Sequence, residues 1–276
     1  MPSSPLPTLV LGALVVSLSG CQAKDPARSA EANVLRVTTS DYAFELPDQV
    51  QAGVTAIRLI NKGPSLHHVQ LVRLDQGKTL ADFLTALKAG GPPPQWATMI
   101  GGPNAAVPGD SSIAVLTLEP GSYAMICLIP GADGMPHFAK GMAHMLTVTG
   151  PAPAMAEPTA DLTVKLVDYD FQFSTPLAAG HHTIRVENAG QQWHEMVLVK
   201  LGPGKTGMDF AAWAQKMTGT PPGEIHGGIT GILPGAHVFI VTDLTPGDYA
   251  LMCFFPDVKD GQPHLAHGMV KTITVS

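Results

Sequence analysis

The sequence has few charged residues, and the charge it has is mostly acidic. Only 14% of the 276 residues are charged, and 22 acidic side chains against 16 Lys and Arg leave a net charge of −6. A nucleic-acid surface needs a basic face, so this balance predicts no DNA or RNA partner. The scarcity of Glu and Lys excludes a coiled coil, and the 45% hydrophobic content excludes a chain that is disordered through its charge.

Long apolar runs are also missing. The run Leu9–Leu18 is about half the length that a membrane-spanning helix needs, which is about 20 residues. Its length is typical of the apolar part of an export signal. Leu18–Cys21 (LSGC) resembles the bacterial lipobox, which implies removal of residues 1–20 and acylation of Cys21; the alternative is a plain secretory signal. We therefore expect an envelope protein, tethered by residues 21–34 and held at a membrane surface by its acyl chains.

Cysteine is scarce, with only Cys21, Cys127 and Cys253 in the chain. Exported proteins normally pair their cysteines, because their compartment is oxidising. If Cys21 carries the lipid, Cys127 and Cys253 remain, at equivalent points of two repeats, where disulfide geometry does not favour a bond between separate domains. Two unpaired thiols in an oxidising compartment need another explanation, and metal ligation is one.

The sequence contains an internal repeat about the length of a domain. The motif at 41–44 (DYAF) returns at 168–171 (DYDF), and the motif at 120–127 (PGSYAMIC) returns at 246–253 (PGDYALMC). A repeat of this kind predicts two similar structural units. We place the domains at 35–149 and 162–276, joined by a Pro- and Ala-rich linker at 150–161.

Each half is predicted to be β-rich, since the chain holds 29 Gly and 25 Pro and its apolar residues alternate with polar ones over short segments. One helix per half is expected, at Leu80–Lys88 and Gly207–Met217. The predicted fold class is all-β, with two tandem antiparallel Greek-key sandwiches. The predicted strands are Val34–Thr39, Thr55–Leu59, Val69–Leu74 and Ser112–Leu118, then Leu162–Val167, His182–Val186, Met196–Leu201 and His237–Thr242, with one more leading to each later cysteine and a closing strand at Val148 and at Val275.

Four residues, His, Cys, His and Met, occur in the same order in both halves, and the last two are spaced His-x4-Met each time. Two imidazoles and a thiolate with a weak thioether suit copper that cycles between Cu(I) and Cu(II), since soft sulfur favours the reduced ion. The candidate ligands are His67, Cys127, His137 and Met142 in the first half, and His194, Cys253, His264 and Met269 in the second.

At these residues the sequence resembles the cupredoxins, the blue copper proteins. The segments Asn61–His67 and Asn188–His194 are similar to the family's approach to its first ligand, and Pro136–Met142 is similar to its closing ligand loop, as is the matching segment of the second half. The resemblance implies up to two type 1 copper sites, one per domain, and a one-electron carrier with a redox partner protein. Nine residues separate Cys127 from His137, more than in the family's well-known electron carriers, and turn signals at 133–134 and 260–261 would let the loop fold back.

Two other functions stay open at this point. A metal-free sandwich could act as a binding module of the cell envelope, with cysteine and methionine as core residues. Copper storage or delivery would use the same ligands as electron transfer. His68 is not expected to be a ligand, because Glu195 replaces it in the second half. His144 and His267 have no counterparts in the other repeat and are expected to be exposed strand or loop residues.

Catalysis is not expected. Copper enzymes built from cupredoxin domains hold further copper with additional histidines, typically one beside the site cysteine. Here Ile126 and Leu128 flank the first cysteine, Met252 and Phe254 flank the second, and the sequence has no His-x-His pair. It also lacks a phosphate-binding loop and an HExxH motif.

Overall fold

The computed structural model describes residues 1, 33–90, 93–152 and 155–276. The predicted export signal at 1–20 and Cys21 lie outside the described residues, as does nearly all of the tether at 21–34. Export and lipidation therefore stay predictions. Within the described ranges, no helix has the length and apolarity needed to cross a bilayer.

The described residues of the first half form strands, one α-helix and a short 3-10 helix at His137–Lys140. Its elements are β1 (Asn33–Ser40), β2 (Ala43–Glu45), β3 (Gln49–Gln51), β4 (Gly53–Asn61), β5 (Gln70–Leu74), α1 (Leu80–Ala89), β6 (Ala97–Gly101), β7 (Ser111–Leu118), β8 (Gly121–Ile126) and β9 (Ala143–Thr149).

The second half repeats this order, and only β3 has no counterpart among its described elements. A second 3-10 helix lies at His264–His267. The elements are β10 (Leu162–Val167), β11 (Asp170–Phe173), β12 (Gly180–Asn188), β13 (His194–Leu201), α2 (Gly207–Ala214), β14 (Gly223–Ile232), β15 (His237–Leu244), β16 (Gly247–Met252) and β17 (Val270–Val275).

Two sheets pack face to face, and each runs through both halves. One has the order β11-β10-β12-β15-β7-β4-β1-β2, and the other β17-β16-β13-β14-β6-β5-β8-β9-β3. The halves join edge to edge, with Phe239 of β15 opposite Val115 of β7, and Ile232 of β14 opposite Ile100 of β6. The predicted all-β class with Greek-key sandwiches is confirmed, and the two sandwiches share continuous sheets.

The strands that the sequence did not predict include β6, which ends at Gly101, and β14, which has four glycines among its ten residues. Gly102 and Gly228 have positive φ angles of 147° and 122°. A Cβ at Gly102 would collide with the carbonyl oxygen of Val69, the residue before β5, and a Cβ at Gly228 would collide with that of Met196 in β13. Glycine therefore lets these strands lie close to the backbone just after each candidate histidine ligand.

Both α-helices begin with the same capping box. The Thr79 hydroxyl accepts from the Asp82 N–H at 3.1 Å, and the Asp82 carboxylate accepts from the Thr79 N–H at 2.9 Å. Thr206 caps α2 in the same way, and each cap satisfies backbone donors that the helix leaves open. The second helix was predicted to reach Met217 but ends at Ala214, because the following residues form a turn in which Met217 has a φ of 50°.

The segment between the halves packs on the outer face of the shared eight-stranded sheet. Met155 and Ala160 contact a buried group formed by Val54, Val115 and Phe239. These three residues belong to β4, β7 and β15, so the group spans the line where the halves meet. Apolar contacts of this kind stabilise the junction as well as each half.

Candidate metal centres

Each half presents its first candidate histidine at the end of a tight loop that a buried asparagine holds closed. The Asn61 Nδ2 donates to the carbonyl oxygens of Ser65 at 2.7 Å and Ala106 at 2.9 Å. Its Oδ1 accepts from the Gly63 N–H at 2.9 Å. Asn188 makes the three equivalent bonds in the second half. A fully bonded amide at the loop base fixes where the histidine at the other end of the loop can lie.

A carboxylate holds each of these histidines in one tautomer. His67 Nε2 lies 2.7 Å from Asp41 Oδ1, and His194 Nε2 lies 2.5 Å from Asp168 Oδ1. An ionised carboxylate only accepts, so Nε2 carries the hydrogen and Nδ1 keeps its lone pair. His67 Nδ1 is buried and has no hydrogen-bond partner within the described part of the chain. A buried, unpartnered acceptor nitrogen of this kind fits a metal ligand.

The loop passes so close to the carboxylate–histidine pair that only glycine fits there. A Cβ at Gly63 would lie 2.8 Å from Asp41 Oδ1 and 2.9 Å from His67 Nε2. A Cβ at Gly190 would lie 2.6 Å from His194 Nε2. The same close packing in both halves shows that asparagine, glycine, aspartate and histidine form one local unit.

The two candidate cysteines follow directly after β8 and β16, and both are free thiols buried in the core. Burial raises the pKa of Cys127 to about 12 and raises that of Cys253 as well. The Glu195 N–H lies 3.4 Å from Cys253 Sγ and can donate to it. A metal ion would have to displace the thiol proton, so binding at these sites releases protons.

The second histidine and the methionine of each set lie on one short structural segment. His137 begins a 3-10 helix that Gly141 ends with a left-handed φ of 106°. The Met142 N–H then donates to the His137 carbonyl at 3.0 Å, and the Cys127 N–H donates to the Met142 carbonyl at 3.3 Å. Cys253, His264 and Met269 repeat this arrangement. Both methionines are fully buried beside their cysteine and histidine.

The long segment between cysteine and histidine folds back on itself in both halves. A β-bridge joins Pro130 to Pro136, and another joins Pro256 to Pro263. In the first half the Gly131 N–H also donates to the Met135 carbonyl at 2.8 Å. The added residues therefore form a loop between the two bridged prolines. Because the bridge closes this loop at its base, its extra length does not separate the cysteine from the histidine.

The ligand atoms of each half form a compact group. Those of His67, Cys127 and His137 lie within 4.8 Å of one another, and so do those of His194, Cys253 and His264. We call these the first centre and the second centre, each including its methionine.

The distances in both centres fit a bound metal ion. Sγ lies 3.6 Å from His137 Nδ1 in the first centre, and 3.4 Å from His264 Nδ1 and 3.9 Å from His194 Nδ1 in the second. Bonds of about 2.3 Å to sulfur and about 2.0 Å to nitrogen, at about 120°, would put these atoms roughly 3.7 Å apart. Burial and the neighbouring imidazole lower the pKa of His137 and of His264 to about 4, so both are neutral near pH 7.

Each half thus combines a Greek-key sandwich with a buried His–Cys–His group, with the cysteine directly after the strand that precedes the closing one. The fold of both halves is cupredoxin-like. This assignment depends on strand order and on the two ligand groups. In a cupredoxin-like domain of this kind, a trigonal set of two imidazole nitrogens and one thiolate sulfur with a weak thioether is a blue-copper arrangement.

Solved copper proteins align with the cupredoxin-like halves, at low similarity. The dithionite-reduced auracyanin of Roseiflexus castenholzii is 19% identical over 43% of this chain and 98% of its own, with a TM-score of 0.32. The copper-containing nitrite reductase of Thermus scotoductus SA-01 is 13% identical over 88% of this chain and 61% of its own, with a TM-score of 0.24. The copper nitrite reductase of Nitrosomonas europaea is 14% identical over 89% and 93%, with a TM-score of 0.25. No family model and no curated protein sequence matches the chain.

Sequence reasoning did not assign a role to the two aspartates that bond the first histidines. The signal was present, because Asp41 and Asp168 open the repeated DYxF motif. It also placed His68 and Glu195 at equivalent positions without assigning them a common role. Both accept the backbone N–H of the residue after the cysteine, His68 at 2.8 Å and Glu195 at 3.0 Å. A neutral imidazole and a carboxylate can both accept one hydrogen bond, so a change of residue type preserves the contact.

A further group of possible ligand atoms lies beside the second centre. It consists of Asp257, Asp260 and His267, whose ligand atoms are within 4.8 Å of one another. His267 is exposed, as the sequence predicted, and His144 is partly buried on β9. The first half has no such group among its described residues.

Proposed function

We propose that the chain is a copper-binding protein that carries single electrons through two type 1 centres, one in each half. The observation that carries the proposal is the presence of two buried groups of two histidines and one free thiol, each in a cupredoxin-like sandwich. Bound copper would supply one-electron exchange between Cu(I) and Cu(II). A donor protein would give the electron, and an acceptor protein would take it.

The protein's own residues would hold the ligands in nearly the same positions in both oxidation states. The asparagine-closed loop and the aspartate fix the first histidine, and the cysteine and second histidine are fixed by backbone hydrogen bonds. Both thiols and both pairs of imidazoles are almost completely excluded from water. A rigid, dry ligand set limits the rearrangement that accompanies each electron, which is what a carrier needs.

The ligand inventory favours a carrier over an enzyme. The residues beside the cysteines are apolar, and the sequence offers no His-x-His pair to hold a second catalytic copper. The open alternatives are a metal-free envelope module and a copper storage or delivery protein.

The test is a copper count and a visible spectrum of residues 22–276 loaded with Cu(II). We expect two coppers per chain and an intense thiolate-to-copper charge-transfer band. Cys127→Ser and Cys253→Ser should each remove one copper and about half of the band, so each variant is the control for the other. A colourless protein without bound copper would establish the metal-free alternative.

We further propose that the protein is exported and held at a membrane by lipid on Cys21. The support is the apolar segment Leu9–Leu18 and the lipobox-like Leu18–Cys21. Labelling with a radioactive fatty acid in a bacterial host should mark the full chain. The variant Cys21→Ser should carry no label and leave the membrane fraction, whereas Cys127→Ser should keep both properties.

A further inference from the structure

We propose that the two centres differ in reduction potential, that of the second centre being the lower, because the carboxylate of Asp257 lies beside His264 and the first centre has no counterpart. A molecule that holds one electron would then hold it at the first centre. This inference rests on the proposed function, since it requires copper in both centres.

The matching loops show which positions correspond. The Pro130–Pro136 and Pro256–Pro263 bridges are equivalent, and the next residue is Gly131 in one half and Asp257 in the other. The N–H of each donates across the base of its loop, at 2.8 Å and 2.7 Å respectively. One half therefore has a carboxylate where the other has only a hydrogen atom.

Asp257 is buried at 3% exposure and is held as a carboxylate by three donors. The Tyr169 hydroxyl donates to it at 2.5 Å, the Gln192 amide at 2.8 Å and the Lys259 N–H at 2.8 Å. These hydrogen bonds keep the pKa of Asp257 well below its usual range. In the folded protein near neutral pH, the Asp257 carboxylate is therefore negatively charged.

This charge lies against a candidate ligand. Asp257 Oδ2 is 3.9 Å from His264 Nε2, and the Gln192 Oε1 is 3.3 Å from the same nitrogen. His264 Nδ1 faces the Cys253 sulfur, so Nε2 is the nitrogen left to donate outward. Within the described part of the first half, His137 Nε2 has no such partner.

The surrounding charges differ in the same direction. In the first half the Lys140 ammonium lies 2.7 Å from Asp133 and neutralises it. In the second half His267 takes the place of that lysine, beside Asp260 and Asp257. Counting Asp, Glu, Lys and Arg, residues 256–263 carry a net charge of −1 from Asp257, Lys259 and Asp260, whereas residues 130–136 together with Lys140 carry none. The aspartates that bond the first histidines occur in both halves and do not contribute to the difference.

Negative charge near a metal ion favours the ion with the higher charge. A partly buried carboxylate also increases the basicity of a ligating imidazole when it lies beside its outer nitrogen. Both effects stabilise Cu(II) more than Cu(I) and lower the reduction potential. A tenfold change in relative affinity for the two ions corresponds to about 59 mV for one electron.

The test measures the potential of each centre separately, by spectroelectrochemical titration of the charge-transfer band in copper-loaded protein. Cys253→Ser leaves the first centre, and Cys127→Ser leaves the second. We expect the second centre to have the lower potential, and Asp257→Asn to raise it. The control is Asp243→Asn, which removes the same charge from an exposed residue of the same half.

A reciprocal variant covers the case in which Asp257→Asn does not fold. Gly131→Asp together with Lys140→His transfers the second-half arrangement to the first half, and it should lower the potential of the first centre. A Cβ at Gly131 would meet only the movable end of Lys140, at 2.6 Å, and the side chain of Asp133, at 3.1 Å, as its closest neighbours, so the backbone can accept it.

The outcomes separate this inference from the proposed function. If both centres bind copper but have equal potentials, or if Asp257→Asn shifts the second centre no more than Asp243→Asn does, the inference is wrong and the proposed function stands. If the protein binds no copper, both are wrong.

Discussion

Replacing Asp41 should weaken copper binding at the first centre, although Asp41 is not itself a ligand. Its carboxylate accepts the hydrogen of His67 Nε2 at 2.7 Å and the Ser65 hydroxyl at 2.6 Å. Hydrogen bonds from these two residues outweigh the opposing effect of burial and lower the pKa of Asp41. The variant Asp41→Asn keeps the shape and an acceptor oxygen but removes the charge.

The size of the effect follows from the kind of hydrogen bond that is changed. A bond to a charged acceptor contributes about 1.5–3 kcal/mol and one to a neutral acceptor about 0.5–1.5 kcal/mol, so the loss is about 1 kcal/mol. This corresponds to a roughly fivefold weaker affinity for Cu(II). Asp41→Ala removes the acceptor altogether, and loss of an outer partner of a metal-bound histidine typically costs about 10- to 100-fold.

The assay is a competition titration of Cu(II) against a coloured chelator, in a Cys253→Ser background so that only the first centre binds. The control is Asp48→Asn, which removes the same charge from an exposed residue of the same half. The order of affinity should be Asp48→Asn, then Asp41→Asn, then Asp41→Ala. Equal affinities for all three would refute the positioning role of Asp41.

Three further predictions concern the metal-free protein. Asn188→Ala removes three hydrogen bonds at a fully buried position and should lower the free energy of unfolding in urea by about 3 kcal/mol or more; a loss below about 1 kcal/mol would contradict it. Gly228→Ala should cost clearly more stability than Gly235→Ala, since both have positive φ but only Gly228 lies against backbone. Stability should fall as the pH decreases from about 6.5 to about 4, because His137 and His264 have a pKa of about 4 when folded and take up protons earlier when unfolded. Each imidazole can lower the free energy of unfolding by at most about 3 kcal/mol. Urea titrations at pH 7 and pH 4.5 would measure this loss.

The sandwich and the grouping of the candidate ligands could be predicted because their signals are local and repeated. Strands such as β1 and β10 alternate apolar and polar residues, and the pattern follows directly from having one buried face. The ligand order survives in both halves because each ligand occupies a fixed place between a strand end and a turn. A motif that occurs twice in one chain supports the prediction of a metal site more strongly than either copy does alone.

The junction and the outer partners of the histidines could not be predicted, for two physical reasons. β14 has glycines at 223, 227, 228 and 231, which interrupt the apolar–polar alternation that marks a strand, and β6 is only five residues long and ends at Gly101, which has a positive φ. Asp41 lies 26 residues from His67, and its contact exists only once β1 and β4 are paired. A hydrogen bond that depends on the tertiary fold leaves no periodic signal in the sequence.

The junction also bears on whether the halves can be treated as independent modules. Thr230 of β14 donates to the carbonyl of Val69 at 3.0 Å, and Asn104 donates to the carbonyl of Ile229 at 2.9 Å and lies 3.4 Å from that of Met196. Val69 and Met196 each come two residues after a candidate histidine ligand. The contacts that join the halves are therefore made to the backbone that positions the ligands, in both directions across the junction. Pairing also covers the strand edges that each half would otherwise expose. The tandem arrangement therefore both protects these edges and helps to position the ligand-bearing backbone of each centre.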